Sequence, residues 1–178
     1  MTETRSELKD LMKENLAQRR KDAKTQRHDG NENSELKNLM KENLAQRRKG
    51  MTENEISAIV VDAAVSVHRA LGPGLLESVY EVVLAHELRS RGLAVERQVP
   101  IAIEYNGQRF DEGFRADIIV ESKVILELKS IVQTNAAHRK QIQTYLRLSG
   151  CKLGFLLNFG EALMKDGITR AVNGLEED

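Results

Sequence analysis

Cysteine is nearly absent from this chain, and that absence excludes two classes of protein. The lone Cys151 has no partner for an internal disulfide, and one thiol without further cysteines cannot be read as a zinc site. It reads instead as a small buried hydrophobe inside a strand. Long apolar runs are missing too. None approaches the roughly 20 residues that cross a bilayer, and the first residues are charged where a secretory leader needs an apolar stretch. The expectation is a cytoplasmic protein with no membrane partner. Aromatic residues make up only 4%, and neither charge sign is in excess, the formal net charge being zero. Zero net charge alone argues weakly against a nucleic-acid partner, because phosphate binding usually leaves a basic footprint. The charge is unevenly spread, however. Residues 1–50 carry 13 Lys+Arg against 9 Asp+Glu, a balance of +4, and residues 51–178 carry 14 against 18, a balance of −4.

What is present divides into two unequal parts. With 178 residues, 40% of them hydrophobic, the chain has room for one ordinary domain and an appendage. Residues 6–21 (SELKDLMKENLAQRRK) recur as residues 34–49, and only Asp10 and Asn38 differ. Each copy sets leucine and methionine at helical spacing, with Ser6 or Ser34 before them and a basic cluster at the far end. Residues 1–50 therefore read as a duplicated amphipathic-helix extension, loosely tied to the rest, that could serve a protein partner or self-association. Residues 51–178 read as the compact domain.

Within that domain the hydrophobic period marks the elements. A helix from Glu53 carries Ile56, Ile59, Val60, Ala63 and Val67 on one face and breaks at Gly72-Pro73-Gly74. A second follows with Leu76, Val79, Tyr80, Val83, Leu84 and Leu88 on its buried side. The period then drops to two through residues 98–105, and Asn106-Gly107 predicts a hairpin turn into a strand at residues 108–111. Residues 116–120 and 124–128 are almost continuously apolar, as central strands are. A helix at 136–148 and a buried strand at 152–158 complete an order of ααββββαβ, an α/β or α+β domain with a mixed central sheet flanked by helices.

Against that background Asp117, Glu127 and Lys129 do not belong. Ionisable groups within apolar strands cost several kcal/mol unless paired or metal-bound. Side chains alternate along a strand, so Glu127 and Lys129 share one face while Leu126 and Leu128 take the other. If residues 116–120 pair antiparallel with this strand through the Glu121 turn, Asp117 joins them. Two carboxylates and an ammonium then converge. Hard divalent cations such as Mg2+ or Mn2+ prefer carboxylate oxygens, which suits Asp117 and Glu127 as ligands, with Lys129 beside the attacking water or the phosphate. An internal ion pair of Lys129 with either carboxylate is the other account, and spacing alone leaves both open.

The stretch from Arg115 to Lys129 resembles the PD-(D/E)xK nuclease pattern, with Asp117 as the isolated Asp and Glu127-Leu128-Lys129 as the ExK element; the Pro of the pattern is missing. Gly74-Leu-Leu-Glu77-Ser-Val-Tyr80 resembles the signature of the GxxExxY family, a branch of that superfamily. The resemblance spans residues 55–173 and leaves out residues 1–50. It implies a restriction-endonuclease-like core, with Glu77 as a further, helix-borne metal ligand. Gln141 and Tyr145 resemble the QxxxY element of RecB-type exonucleases, which implies a supporting catalytic role for Gln141. Tyr80, Arg115, Arg139, Lys140 and Tyr145 are candidate nucleic-acid contacts; Tyr145 could equally brace the sheet. The function so implied is Mg2+- or Mn2+-dependent cleavage of phosphodiester bonds, in DNA. A nuclease fold that binds nucleic acid or a protein without cutting is the alternative.

Overall fold

The computed structural model describes residues 50–176 and, upstream of them, Leu39, Glu42, Gln46 and Arg48, which are helical. The first copy of the repeat and most of the second lie outside the described residues.

Helix α1 (Glu53–Leu71) starts where Thr52 caps it: the Glu55 backbone N–H donates to the Thr52 hydroxyl at 3.2 Å, and the Glu55 carboxylate accepts from the Thr52 N–H at 2.8 Å. This reciprocal capping satisfies two otherwise orphaned donors. Gly72, at φ 68°, ends it. Helix α2 (Glu77–Ser90) follows, then strands β1 (Val95–Tyr105), β2 (Gln108–Val120) and β3 (Val124–Lys129). Helix α3 (Ala136–Ser149) crosses to β4 (Leu153–Asn158), and a single turn, α4 (Met164–Gly167), leads into β5 (Ile168–Val172).

The strands form one sheet in sequence order, β1-β2-β3-β4-β5. Only β3 and β4 are parallel, which is why a helical crossover joins them; every other pair is antiparallel. The sheet is sandwiched. Leu126 and Leu128 pack with α1 and α2, while Ile125 packs with Ile142 and Leu146 of α3. Gly154 permits the close approach of α3, since a Cβ there would stand 3.1 Å from both Ile142 and Leu146.

Three expectations need correction. The separate strands at residues 108–111 and 116–120 are one 13-residue strand, β2, carried through Asp111-Glu112-Gly113 by a register shift opposite Ile101 and Ile103. Gly113 makes this possible, because a Cβ there would lie 2.5 Å from the Ile101 carbonyl oxygen. The buried side of α2 is Tyr80, Glu81, Leu84, Ala85 and Leu88, whereas Leu76 is 74% exposed at the helix entrance. Cys151 is only half-buried and sits before β4 rather than within it.

Candidate active site

The β2–β3 ladder pairs Val120 with Val124, Ile119 with Ile125 and Ile118 with Leu126. The next pair in that register would be Asp117 with Glu127. There the ladder stops, and the Asp117 carboxylate accepts the Leu128 N–H at 2.8 Å in place of a backbone carbonyl. The two strands thus part where both acidic side chains emerge. Glu127 is 3% exposed, and its Oε1 accepts from the Lys129 ammonium at 2.7 Å and from the Gln141 amide at 2.9 Å. Its Oε2 is buried with no hydrogen-bond partner among the described residues.

Lys129 is held from both sides. Its ammonium also donates to the Leu128 carbonyl at 2.8 Å and stands 3.7 Å from Glu77 at the start of α2. Its own carbonyl accepts from the Phe159 N–H at 2.7 Å, and the buried Asn158 clasps Ile131 through both its N–H and its C=O. The Ser130 hydroxyl reaches the Leu75 carbonyl at 2.6 Å, joining this loop to the Gly72-Pro73-Gly74 turn. The structure therefore brings Glu77, Asp117, Glu127, Lys129 and Gln141 together.

The candidate nucleic-acid contacts separate. Tyr80 is fully buried: its ring stacks on Phe159 with centroids 4.4 Å apart, and its hydroxyl donates to the Gly72 carbonyl at 2.6 Å and accepts the Leu75 N–H at 3.2 Å. It cannot reach a nucleic acid and instead fixes the turn that presents Glu77. Tyr145 stacks on Phe114 at 3.7 Å and accepts from Gln141 at 2.6 Å, so it braces the amide that holds Glu127. Arg115 is exposed beside the site and donates to the Gln98 carbonyl at 2.7 Å. Arg139 and Lys140 are exposed on the outer face of α3, along a groove they share with Thr144, Arg147 and Asn173. Of the histidines, His68 is a core residue bonded to the Glu161 carbonyl at 2.9 Å.

Three residues not singled out from the sequence, Glu81, Arg97 and Gln98, belong to the same cluster. Glu81 lies one turn beyond Glu77, 6% exposed, and accepts from Arg97 and from the Gln98 amide, each at 2.8 Å. Gln98 also reaches Asp117 at 3.4 Å. The i, i+4 spacing of Glu77 and Glu81 was the available signal for the first. Nothing in the residue types marks Arg97 or Gln98.

The cluster holds four carboxyl groups, Glu77, Glu81, Asp117 and Glu127, against two cations, Arg97 and Lys129. Burial is the main reason the Glu77, Asp117 and Glu127 carboxyls are pushed up, and the repulsion between neighbouring acids adds to it. Glu127 is raised furthest, from 4.5 to about 7. Burial would lower the Lys129 ammonium, but its hydrogen bond to Glu127 and the charges of Glu127, Glu77 and Asp117 outweigh that, and the net shift is upward.

Among the described residues no three His, Cys, Asp or Glu side chains converge closely enough to enclose a metal on their own. Magnesium-type ions are commonly held by one or two carboxylates, completing their shell with waters and substrate oxygens. The donors here fit that style of binding: all-oxygen ligands, a surplus of two negative charges when every group is ionised, and a buried Glu127 oxygen without a partner.

The sequence profile of the PD-(D/E)XK nuclease superfamily matches residues 54–171, which include every residue of this cluster. No curated protein matches the chain. Among solved structures, that of SSO0001 is similar, with 17% identity, 79% of each chain covered and a TM-score of 0.33.

Proposed function

The chain belongs to the PD-(D/E)XK nuclease superfamily, and from that premise we propose that it is a metal-dependent hydrolase of phosphodiester bonds acting on DNA, in the GxxExxY branch of the superfamily. The observation that carries this reading is the unpartnered Oε2 of the buried Glu127, beside an Asp117 carboxylate whose other contacts are already made. A buried carboxylate oxygen without a donor is expensive, and a cation relieves it.

Asp117 and Glu127 would hold Mg2+ or Mn2+, with Glu77 completing the acidic set from α2. The bound ion would supply a water of lowered pKa and neutralise charge on the phosphate. The chain's own groups do the rest. Gln141, steadied by Tyr145, fixes the Glu127 carboxylate. Lys129 stays an ammonium at neutral pH because its carboxylate neighbours raise it, which supports a role as donor to a phosphate oxygen over one as a base. Arg115 stands at the exposed edge, where a strand of phosphates would pass. Residues 1–50 would form a separate module.

The test is cleavage of plasmid and linear DNA with Mn2+, Mg2+ or a chelator. Asp117→Ala and Lys129→Ala should each reduce cleavage at least about 100-fold while circular dichroism stays that of the wild type. Cleavage at the wild-type rate by both variants would overturn the reading, and Mn2+ uptake without cleavage by the wild type would favour a fold that binds without cutting.

A further inference from the structure

Where β1 passes Asp117, its backbone leaves the strand conformation. Gln98 has φ 52°, in the left-handed region that residues with a Cβ rarely enter, and it does so in the middle of an 11-residue strand. The ladder registers this. Arg97 pairs with Ile118 and Val99 with Ala116, while the intervening Gln98 and Asp117 are unpaired. The pleat slips at the same point: Ile118 packs with the α1–α2 core and Ala116 with the α3 core, although strict alternation would put both on one side.

Such a conformation persists only where surrounding contacts over-determine it. Here they are specific. Arg115 donates to the Gln98 carbonyl at 2.7 Å. The side-chain amide nitrogen donates to Glu81 Oε2 at 2.8 Å and lies 3.4 Å from Asp117 Oδ1, one carboxylate for each of its two hydrogens. Arg97, the preceding residue, holds the other oxygen of Glu81 at 2.8 Å. Asp117 is then fixed at both ends, by Leu128 on one oxygen and by Gln98 on the other.

We propose that Gln98 is a positioning residue for the metal-binding carboxylate Asp117: its left-handed backbone aims the amide between Glu81 and Asp117 and holds the Asp117 carboxylate in its orientation for a divalent cation. Arg97 and Glu81 anchor that amide, and Arg115 anchors its backbone. The inference rests on the metal-dependent reading given above, and goes beyond it by assigning a role to residues that touch no metal. Strain of this kind has a testable consequence. A residue kept for stability should be hard to replace, whereas one kept for orientation should be replaceable at no loss of stability but at a loss of binding.

The test compares the full chain with Gln98→Gly, which removes the amide and relieves the left-handed backbone, and Gln98→Asn, which keeps an amide on a residue that tolerates that backbone. Melting is followed in chelator, Mn2+ affinity by calorimetry, and cleavage as kcat and KM. Gln98→Gly should melt no lower than the wild type, yet bind Mn2+ about 10- to 100-fold more weakly, as loss of a ligand-orienting partner typically does. Its kcat should fall with little change in KM for DNA, and Gln98→Asn should recover part of the Mn2+ affinity. Wild-type Mn2+ affinity in Gln98→Gly would overturn the proposal, and so would a drop in melting temperature that accounts for the lost binding. A wild-type protein that takes up no Mn2+ would instead overturn the metal-dependent reading, and this proposal with it.

Discussion

Glu127 is ionised only against resistance, because it is 3% exposed, its Oε2 has no donor among the described residues, and Asp117 and Glu77 repel its charge. Its pKa in the folded protein, about 7, lies above the ordinary 4.5, so the fold prefers the protonated carboxyl. The stability this contributes is fully present below about pH 4.5 and is lost as the pH rises through 7. Glu127→Gln keeps the neutral shape at every pH. In chelator the variant should therefore be more stable than the wild type at pH 8, by about 1 to 3 kcal/mol, and the gap should close towards pH 5. Urea unfolding at the two pH values measures it; a gap that does not change with pH would refute the assignment. Saturating Mn2+ should reverse the order at pH 8. At this scale much of the site was legible: a carboxylate inside an apolar strand is conspicuous, and strand alternation placed Lys129 on the same face as Glu127. Gln98 was not legible, because a left-handed backbone at a residue with a side chain comes from tertiary contacts and leaves no mark in the sequence.

The same division holds among the elements. Helix α1, the Asn106-Gly107 hairpin and strand β3 follow from local periodicity and turn chemistry. Helix α2 does not keep the face its apolar residues suggest. Arg97 and Gln98 draw Glu81 inward, and Val79 and Val82 are left 38% and 50% exposed. Strand β2 is not legible as one strand because Asp111-Glu112-Gly113 has the composition of a turn, yet the chain runs on through a bulge that depends on Gly113. Gly113→Ala tests that dependence. Its Cβ would meet the Ile101 carbonyl oxygen at 2.5 Å and an Ile103 methyl at 2.6 Å, and the carbonyl, being backbone, cannot yield without moving β1. Overpacking of this kind costs about 1 to 3 kcal/mol, and a lowered urea midpoint with an unchanged slope is the expected result. An unchanged midpoint would mean that the strand pair has room the structure does not show. Asn135 offers an element-scale control on a different element. It caps α3 through the Ala137 and His138 N–H groups, at 2.9 and 3.2 Å, and Asn135→Ala should cost about 1 kcal/mol.

For the molecule as a whole, the distribution of charge matters more than its sum. Residues 51–178 are net acidic, at 14 Lys+Arg against 18 Asp+Glu, yet the 14 residues of α3 contain no acid at all. Arg139, Lys140 and Arg147 line a groove of about 610 Å3 on its outer side, with Thr144 and Asn173. Helical geometry sets this face about half a turn away from Gln141, so a polynucleotide in the groove would lie apart from the carboxylates. If DNA binds there, its phosphates displace counterions, and the logarithm of affinity falls linearly with the logarithm of salt concentration. Replacing Arg139, Lys140 and Arg147 together by Gln should flatten that slope by roughly 1 per phosphate contact removed. It should weaken binding of long duplexes and leave the cleavage rate at saturating DNA unchanged. Arg115→Gln, beside the carboxylates, should instead reduce cleavage of short and long substrates alike. Binding measured by fluorescence anisotropy between low and physiological salt separates the cases: an unaltered slope in the triple variant would show that DNA approaches only the Arg115 edge, leaving the α3 face as solvated charge.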